Sequence, residues 1–152
     1  MNLKKQFLAD WDYTRSNTLK FIESIPNNKL DFSPNKNFGS LGRQLRHLAD
    51  VQGCYIKALD TRKVTFQNKK KDYSLENDKQ KLINYFNDLD KEMKNKLKRL
   101  KEKDLLKKVD WKEVGNPNMI SMLNYMKEHE IYHQGILQLY AELAGFKTLR
   151  FY

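Results

Sequence analysis

Large apolar residues recur along this sequence at alternating intervals of four and three residues, the repeat of a helix that buries one face. The second such segment, residues 41–59, shows the repeat most clearly. Its inward positions are Leu41, Leu45, Leu48, Gln52, Tyr55 and Leu59. Similar repeats run through residues 3–25, residues 74–100 and a last segment that begins between Asn118 and Ser121. No run of alternating apolar and polar residues predicts a strand. The sequence therefore predicts an all-α fold, a four-helix bundle with long loops between the helices.

Residues with strong preferences for helix ends mark the predicted boundaries. Pro26 is expected to end the first helix, because proline cannot continue one. Ser40 is expected to cap the start of the second helix with its hydroxyl. Gly145 is expected to cap the end of the last helix, where glycine readily adopts a left-handed backbone.

Composition is typical of one globular domain over residues 1–152. Hydrophobic residues make up 39% and charged residues 32% of the chain. The apolar runs are far shorter than the roughly 20 residues that a membrane-spanning helix needs. The first ten residues lack the apolar core of a signal peptide, and Cys54 is the only cysteine. These features favour a reducing cytoplasm.

The sequence is strongly basic, with a formal net charge of +10. A basic protein can bind nucleic acid by displacing phosphate counterions. The lysines are concentrated in residues 62–71 and 91–108, however, where they also suit the solvated faces and ends of helices. Because no base-reading motif accompanies the charge, we expect a solvated surface and no nucleic-acid partner.

Two histidines occupy inward positions of the last helix. The repeat there reads Met122, Met126, His129, His133, Ile136, Tyr140 and Leu143. Residues four apart stack on one helix face about 6 Å apart, so both imidazoles can reach one ion. A buried imidazole must otherwise be satisfied by hydrogen bonds. The pair is therefore either a metal chelate or a pair of hydrogen-bonded core histidines.

His47 is the only other histidine in the chain. At 100° per residue it lies about 120° from the main apolar stripe of the second helix, on a flank with Val51 and Cys54. Periodicity alone places it at the surface or partly buried.

The residues HEIYH at 129–133 also match the two-histidine motif of zinc proteases, in which the glutamate is the general base. The extended protease motif fails, because Gly135 comes one place too early and Leu139 stands where a third histidine belongs. We therefore exclude a protease of this class.

Three stretches around these histidines carry a resemblance to a known family. Residues 41–50 read LGRQLRHLAD, residues 128–135 read EHEIYHQG and residues 137–145 read LQLYAELAG. Together they resemble the DinB/YfiT-like family of four-helix-bundle proteins over nearly the whole chain. The resemblance implies that His47, His129 and His133 bind one divalent metal ion, with zinc or nickel as the leading expectations.

Three protein ligands leave a coordination position open, as in catalytic zinc sites. Characterised relatives implied by the resemblance include transferases that use low-molecular-weight thiols such as bacillithiol or mycothiol. We therefore expect a metal-dependent thiol transferase, or a related hydrolase, that acts on a small electrophile. The thiol's carboxylates would bind Lys or Arg near the pocket. A homodimer is also expected.

Glu130 is the predicted general base or a carboxylate that supports the ligands, because it lies about 60° from His133 around the helix. Its alternative role is that of a solvated surface residue. Tyr13, Tyr132 and Gln134 are weaker candidates. Two rival functions stay open: a non-catalytic bundle that the metal stabilises, and a nucleic-acid-binding bundle.

Overall fold

The computed structural model of the protein describes residues 2–66 and 70–148. Its helices are α1 (Leu3–Ser24), α2 (Leu41–Thr61), α3 (Lys79–Arg99), the single-turn α4 (Glu102–Leu105) and α5 (Met119–Ala144). Two short 3₁₀ helices, Tyr73–Asn77 and Lys112–Val114, lie in the connections. Over the described residues the only β-type pairings are two isolated bridges, in the connections after α2 and before α5. The prediction of an all-α four-helix bundle is confirmed, with α5 as its fourth long helix.

Side-chain caps fix where the long helices begin. Asn2, Ser40, Asp78 and Asn118 each accept a hydrogen bond from the backbone N–H three residues later. The expected cap at Ser40 is confirmed. Gly145 ends α5 with a φ of 75°, which confirms its predicted role. The predicted third helix differs, because residues 73–77 form a separate 3₁₀ helix and Asp78 caps a new start at Lys79.

Each long helix packs against two others. α1 contacts α3 and α5, and α2 contacts the same two helices, so α1 and α2 lie diagonally across the bundle. α1 and α5 run in the same direction, since Asp10 pairs with Lys127 and Thr18, further along α1, bonds to Gln134.

α2 and α3 also run parallel, and opposite to α1. Lys4 Nζ donates to the carbonyl of Leu100, which places the start of α1 at the end of α3. Tyr85 donates to Asp50 and, further along both helices, Lys96 donates to Asp60. α2 consequently packs antiparallel to α5.

The predicted inward positions of α2 are all buried, including Gln52 at 2% exposure. The prediction for α5 is partly wrong, because Leu143 is 56% exposed while Glu130 and Gln134 are buried. α5 packs against both α1 and α2, so its buried face is wider than one stripe. Over the described residues no helix is long and apolar enough to cross a membrane.

Gly42 lets the first turn of α2 approach the 3₁₀ helix Tyr73–Asn77. A Cβ atom at Gly42 would lie 1.9 Å from the carbonyl oxygen of Glu76, which is backbone and cannot rotate away. Next to this contact, Arg46 donates to Glu76 at 2.7 Å and to Asp50 at 2.8 Å. This close packing fixes α2 one turn before His47.

Candidate metal centre

The three histidines of the chain lie together where α2 packs against α5. The rings of His129 and His133, one turn apart on α5, have centroids 4.5 Å apart. The ring of His47 on α2 lies 5.7 Å from that of His129 and 5.2 Å from that of His133. One ligand atom from each ring can be chosen so that all three lie within 4.8 Å of one another. The structure therefore forms a three-histidine cluster that could hold a metal ion.

The three histidines differ in how far they are exposed to solvent. His133 is 6% exposed, His129 is half-buried and His47 is exposed. The cluster thus extends from the bundle core to the surface. Sequence periodicity predicted the inward pair on α5, whereas His47 was implied by the family resemblance alone. His47 meets the pair because α2 contacts two neighbouring helices, so a flank beside its main apolar stripe still faces α5.

The surroundings favour the neutral form of each ring. Burial lowers the pKa of His129 to about 4, and the rings of His133 and His47 add to the effect. Burial, together with His47, lowers the pKa of His133 to about 4. Burial also lowers the pKa of His47, with Arg46 the largest of several neighbouring cations that contribute. Neutral imidazoles have free lone pairs at neutral pH, which is the state that binds metal.

The residues of the cluster fit a divalent ion. Among the described residues, no backbone or side-chain group forms a hydrogen bond to any of the three rings, and the buried Nδ1 of His133 has no partner. Burying a ring nitrogen without a hydrogen-bond partner costs about 1–3 kcal/mol. The three ring nitrogens lie within 4.8 Å of one another and could hold one ion. Imidazole nitrogen is a common ligand of zinc and similar divalent ions.

A cavity of about 600 Å³ opens beside His47. This volume lies within the range of about 300–1,000 Å³ that is typical of small-molecule sites. Val51 and Cys54, one and two turns beyond His47 on α2, line it together with Arg43 and Lys71. The cluster therefore borders a space in which a small molecule could reach a bound ion.

Glu130 lies between the two histidines in sequence but contacts a different helix. It is 1% exposed, so its alternative role as a solvated residue is wrong. Its two carboxylate oxygens accept hydrogen bonds from α1, at 2.7 Å from Arg15 Nη2 and at 2.6 Å from Thr18 Oγ1. Burial raises the pKa of Glu130, and the charge of Arg15 and the Thr18 hydrogen bond oppose that shift. The histidines face α2, whereas Glu130 binds α1.

The three weaker candidates from the sequence lie in two different environments. Tyr13 and Tyr132 are both 68% exposed. The ring of Tyr132 nevertheless stands edge-on to that of His133, with centroids 5.6 Å apart. Gln134 is buried and donates to the carbonyl of Thr14 at 2.8 Å and to Thr18 at 3.0 Å. Gln134 therefore binds α1 beside Glu130.

Sequence reasoning missed the polar network that surrounds Glu130. Arg15, 2% exposed, donates from Nη2 to Gln52 across the bundle as well as to Glu130. Its guanidinium also lies 4.4 Å from the ring centre of Phe86. The missed signal is spacing, because Arg15 stands four residues after Trp11 and three before Thr18, on the inward stripe of α1.

Comparisons with known proteins agree with this fold. A model of the DinB family matches residues 1–152. The fold is similar to a solved DinB-like protein from Bacillus cereus, at 20% identity over 95% of both chains with a TM-score of 0.79. It is also similar to a DinB-like protein from Bacillus subtilis, at 20% identity over 95% of both chains with a TM-score of 0.76. No curated protein matches the sequence. Because the family model spans the whole sequence, the chain belongs to the DinB family.

Proposed function

We propose that the protein binds one divalent metal ion through His47, His129 and His133, and that it is a metal-dependent transferase or hydrolase for a small electrophile. The observation that carries the proposal is three imidazoles with ligand atoms within 4.8 Å of one another. One of them, His47, lines a cavity of about 600 Å³. Three protein ligands leave a position open for water or substrate, which is typical of catalytic zinc sites.

When bound, the ion would lower the pKa of a coordinated thiol or water and so supply a nucleophile at neutral pH. In the transferase reaction, the sulfur of a thiol such as bacillithiol forms a bond to a carbon of the electrophile. The bond from that carbon to the leaving group breaks, and the leaving group departs with the electron pair. The thiol proton passes to solvent. In the hydrolase reaction, water takes the place of the thiol.

The chain's own residues bind and orient the thiol in this proposal. Arg43 and Lys71 line the cavity and carry the positive charge that binds its carboxylates. Val51 and Cys54 form a less polar part of the wall beside His47.

Glu130 acts in this proposal as a positioning residue. Both of its oxygens are engaged by α1, so it is poorly placed to accept a proton from a substrate in the cavity. It instead holds α5 in register on α1, and the histidines on either side of it then meet His47. This role replaces that of the general base predicted from the sequence.

One specific observation favours a second function, a metal-stabilised bundle without catalysis. His133 is 6% exposed and its buried Nδ1 has no partner. An ion bound there would stabilise the packing of α2 on α5 whether or not a reaction follows.

Elemental analysis of untagged protein tests the metal site. We expect about one equivalent of a divalent metal per chain in the wild type, and less than about a tenth of that in His47→Ala and His129→Ala, because open three-ligand sites tolerate little loss. Glu128→Ala is the matched control, since Glu128 is exposed beside His129. Circular dichroism checks that each variant folds. Full metal retention by both histidine variants would refute the site.

Activity measurements distinguish the two functions. The metal-loaded protein is assayed for transfer of bacillithiol and other small thiols to a panel of electrophiles, with release of the leaving group as the readout. Thermal unfolding is followed in parallel with and without chelator. Thiol transfer that chelator abolishes supports the enzyme. A loss of stability with no activity across the panel supports the structural role instead.

A further inference from the structure

Two exposed phenylalanines from separate connections line the cavity beside His47. Phe38, between α1 and α2, is 57% exposed, and Phe66, after α2, is 48% exposed. Single exposed apolar side chains are ordinary on a protein surface. These two border the same cavity, next to Val51. The apolar wall therefore draws on three different parts of the chain.

Phe66 is held in place although it is exposed. Its ring stands edge-on to Tyr55, with centroids 5.5 Å apart, and to Trp111, with centroids 5.8 Å apart. Trp111 in turn stands edge-on to Tyr125 at 5.5 Å. Tyr55 is only 4% exposed, so the series is anchored in the core. Edge-to-face contacts of this kind contribute about 0.5–1.5 kcal/mol each beyond their buried area. The ring of Phe66 is therefore fixed as part of the cavity wall before any ligand binds.

Phe38 ends a tight turn. Its N–H donates to the carbonyl of Asn35 at 3.1 Å, and the hydroxyl of Ser33 lies 2.7 Å from the carbonyl oxygen of Phe38. The backbone that carries this ring is consequently fixed at both of its polar groups.

The cavity carries an excess of positive charge. Among the described residues that line it, Asp50 is the only acidic one, and Arg46 pairs with Asp50 at 2.8 Å and with Glu76 at 2.7 Å. The other two cations, Arg43 and Lys71, form no ion pair with any residue in the described parts of the chain. Two uncompensated cations therefore stand beside the apolar wall.

We infer that this site takes a small molecule in which a flat apolar group is joined to an anionic group. The apolar group packs against Phe38 and Phe66, and the anionic group pairs with Arg43 and Lys71 beside His47. The inference rests on the proposed function, since the molecule is then the thiol conjugate, whose anionic group comes from the thiol and whose flat apolar group comes from the electrophile. Neither feature alone accounts for the cavity, because a purely anionic ligand leaves the two rings exposed and a purely apolar ligand leaves the cations unpaired.

Three probes separate the two features. Calorimetric titration is carried out with naphthalene-2-carboxylate, with the neutral naphthalene-2-carboxamide and with the anionic but flexible hexanoate. We expect the naphthalene carboxylate to bind at least about tenfold more tightly than either of the others, since each loses one kind of contact.

Variants locate the probe. Phe66→Ala and Arg43→Gln should each weaken binding of the naphthalene carboxylate about fivefold, which is the scale of one aromatic or charged contact. Tyr13→Ala and Lys57→Gln are the matched controls, because both residues are exposed and neither lines the cavity. These controls should bind as the wild type does.

Each titration is repeated on metal-loaded and on chelator-treated protein whose fold is checked by circular dichroism. A protein that binds no metal but still prefers the naphthalene carboxylate would leave this inference standing while the proposed function fails. A metal-loaded protein that binds the acid and the amide equally, or is unaffected by Phe66→Ala, would overturn the inference. Absence of binding by all three probes to folded protein would overturn it as well.

Discussion

Arg15 on α1 donates a hydrogen bond of 2.7 Å to the carboxylate of Glu130 on α5, and both side chains are almost completely buried. Removing Arg15 leaves the Glu130 carboxylate without its ionic partner inside the core, and removing Glu130 leaves Arg15 with only the more distant Asp90, at 3.6 Å. Breaking a buried ion pair in this way costs about 3–5 kcal/mol. We therefore expect Arg15→Met and Glu130→Leu each to lower the free energy of unfolding by that order, measured by urea denaturation.

A double variant shows where that cost arises. Replacing both charges by apolar residues removes the unpaired charge, so Arg15→Met with Glu130→Leu should be more stable than either single variant. Asp12→Ala is the control, because the pair of Lys94 and Asp12 is exposed and should be worth at most about 1 kcal/mol. Single core variants as mild as this control would contradict the prediction.

Removing Arg15 should also weaken metal binding if Glu130 positions the histidines. Arg15→Met removes the ion pair between α1 and Glu130 of α5 but leaves His47, His129 and His133 in the sequence. We expect a folded Arg15→Met protein to bind zinc at least about tenfold more weakly than the wild type, the scale seen when groups supporting metal ligands are lost. Competition with a chromophoric chelator measures the affinity. Unchanged affinity would leave Arg15 with a purely structural role.

The metal-free protein should lose stability as the pH falls. The folded-state pKa values of His129 and His133 are about 4, below the value of 6.5 for an unperturbed histidine. Between these values the unfolded chain takes up protons that the folded chain does not, so the free energy of unfolding decreases from pH 6.5 towards pH 4. Above pH 7 these two groups should have no effect. Urea unfolding in the presence of chelator measures the profile.

The double variant His129→Gln with His133→Gln serves as the control for that profile. It keeps the other titrating groups, so its stability should fall less steeply over the same pH interval than that of the wild type. Parallel profiles for the two proteins would show that these histidines do not titrate with lowered pKa values.

Two glycines should respond in opposite ways to a single methyl group. In Gly42→Ala the new Cβ would lie 1.9 Å from the backbone oxygen of Glu76, so the first turn of α2 must shift. We expect a loss of about 1–3 kcal/mol, as in other overpacked sites. In Gly135→Ala nothing lies within 4 Å of the new Cβ. Alanine favours a helix over glycine by about 1 kcal/mol, so this variant should be neutral or more stable. Thermal unfolding of the two variants provides the comparison.

Sequence alone was sufficient for the fold class and the inward pair of histidines. The interval of four and three residues places His129 and His133 on the same helix face as Met122 and Met126. This placement depends only on helix geometry and not on the packing of the other helices. Local chemistry also determined the caps at Ser40 and Gly145, because a hydroxyl before a helix and a glycine after it act within one turn.

The tertiary structure decided which other residues join that pair. His47 and Arg15 stand 82 or more residues from their partners on α5, and no local pattern records which flank of α2 or α1 faces α5. The same holds for the cavity, where Phe38 comes from the connection before α2 and Phe66 and Lys71 come from the connection after it. A helix's own repeat determines which face is buried, but the neighbour that covers each part of that face depends on how all four helices pack.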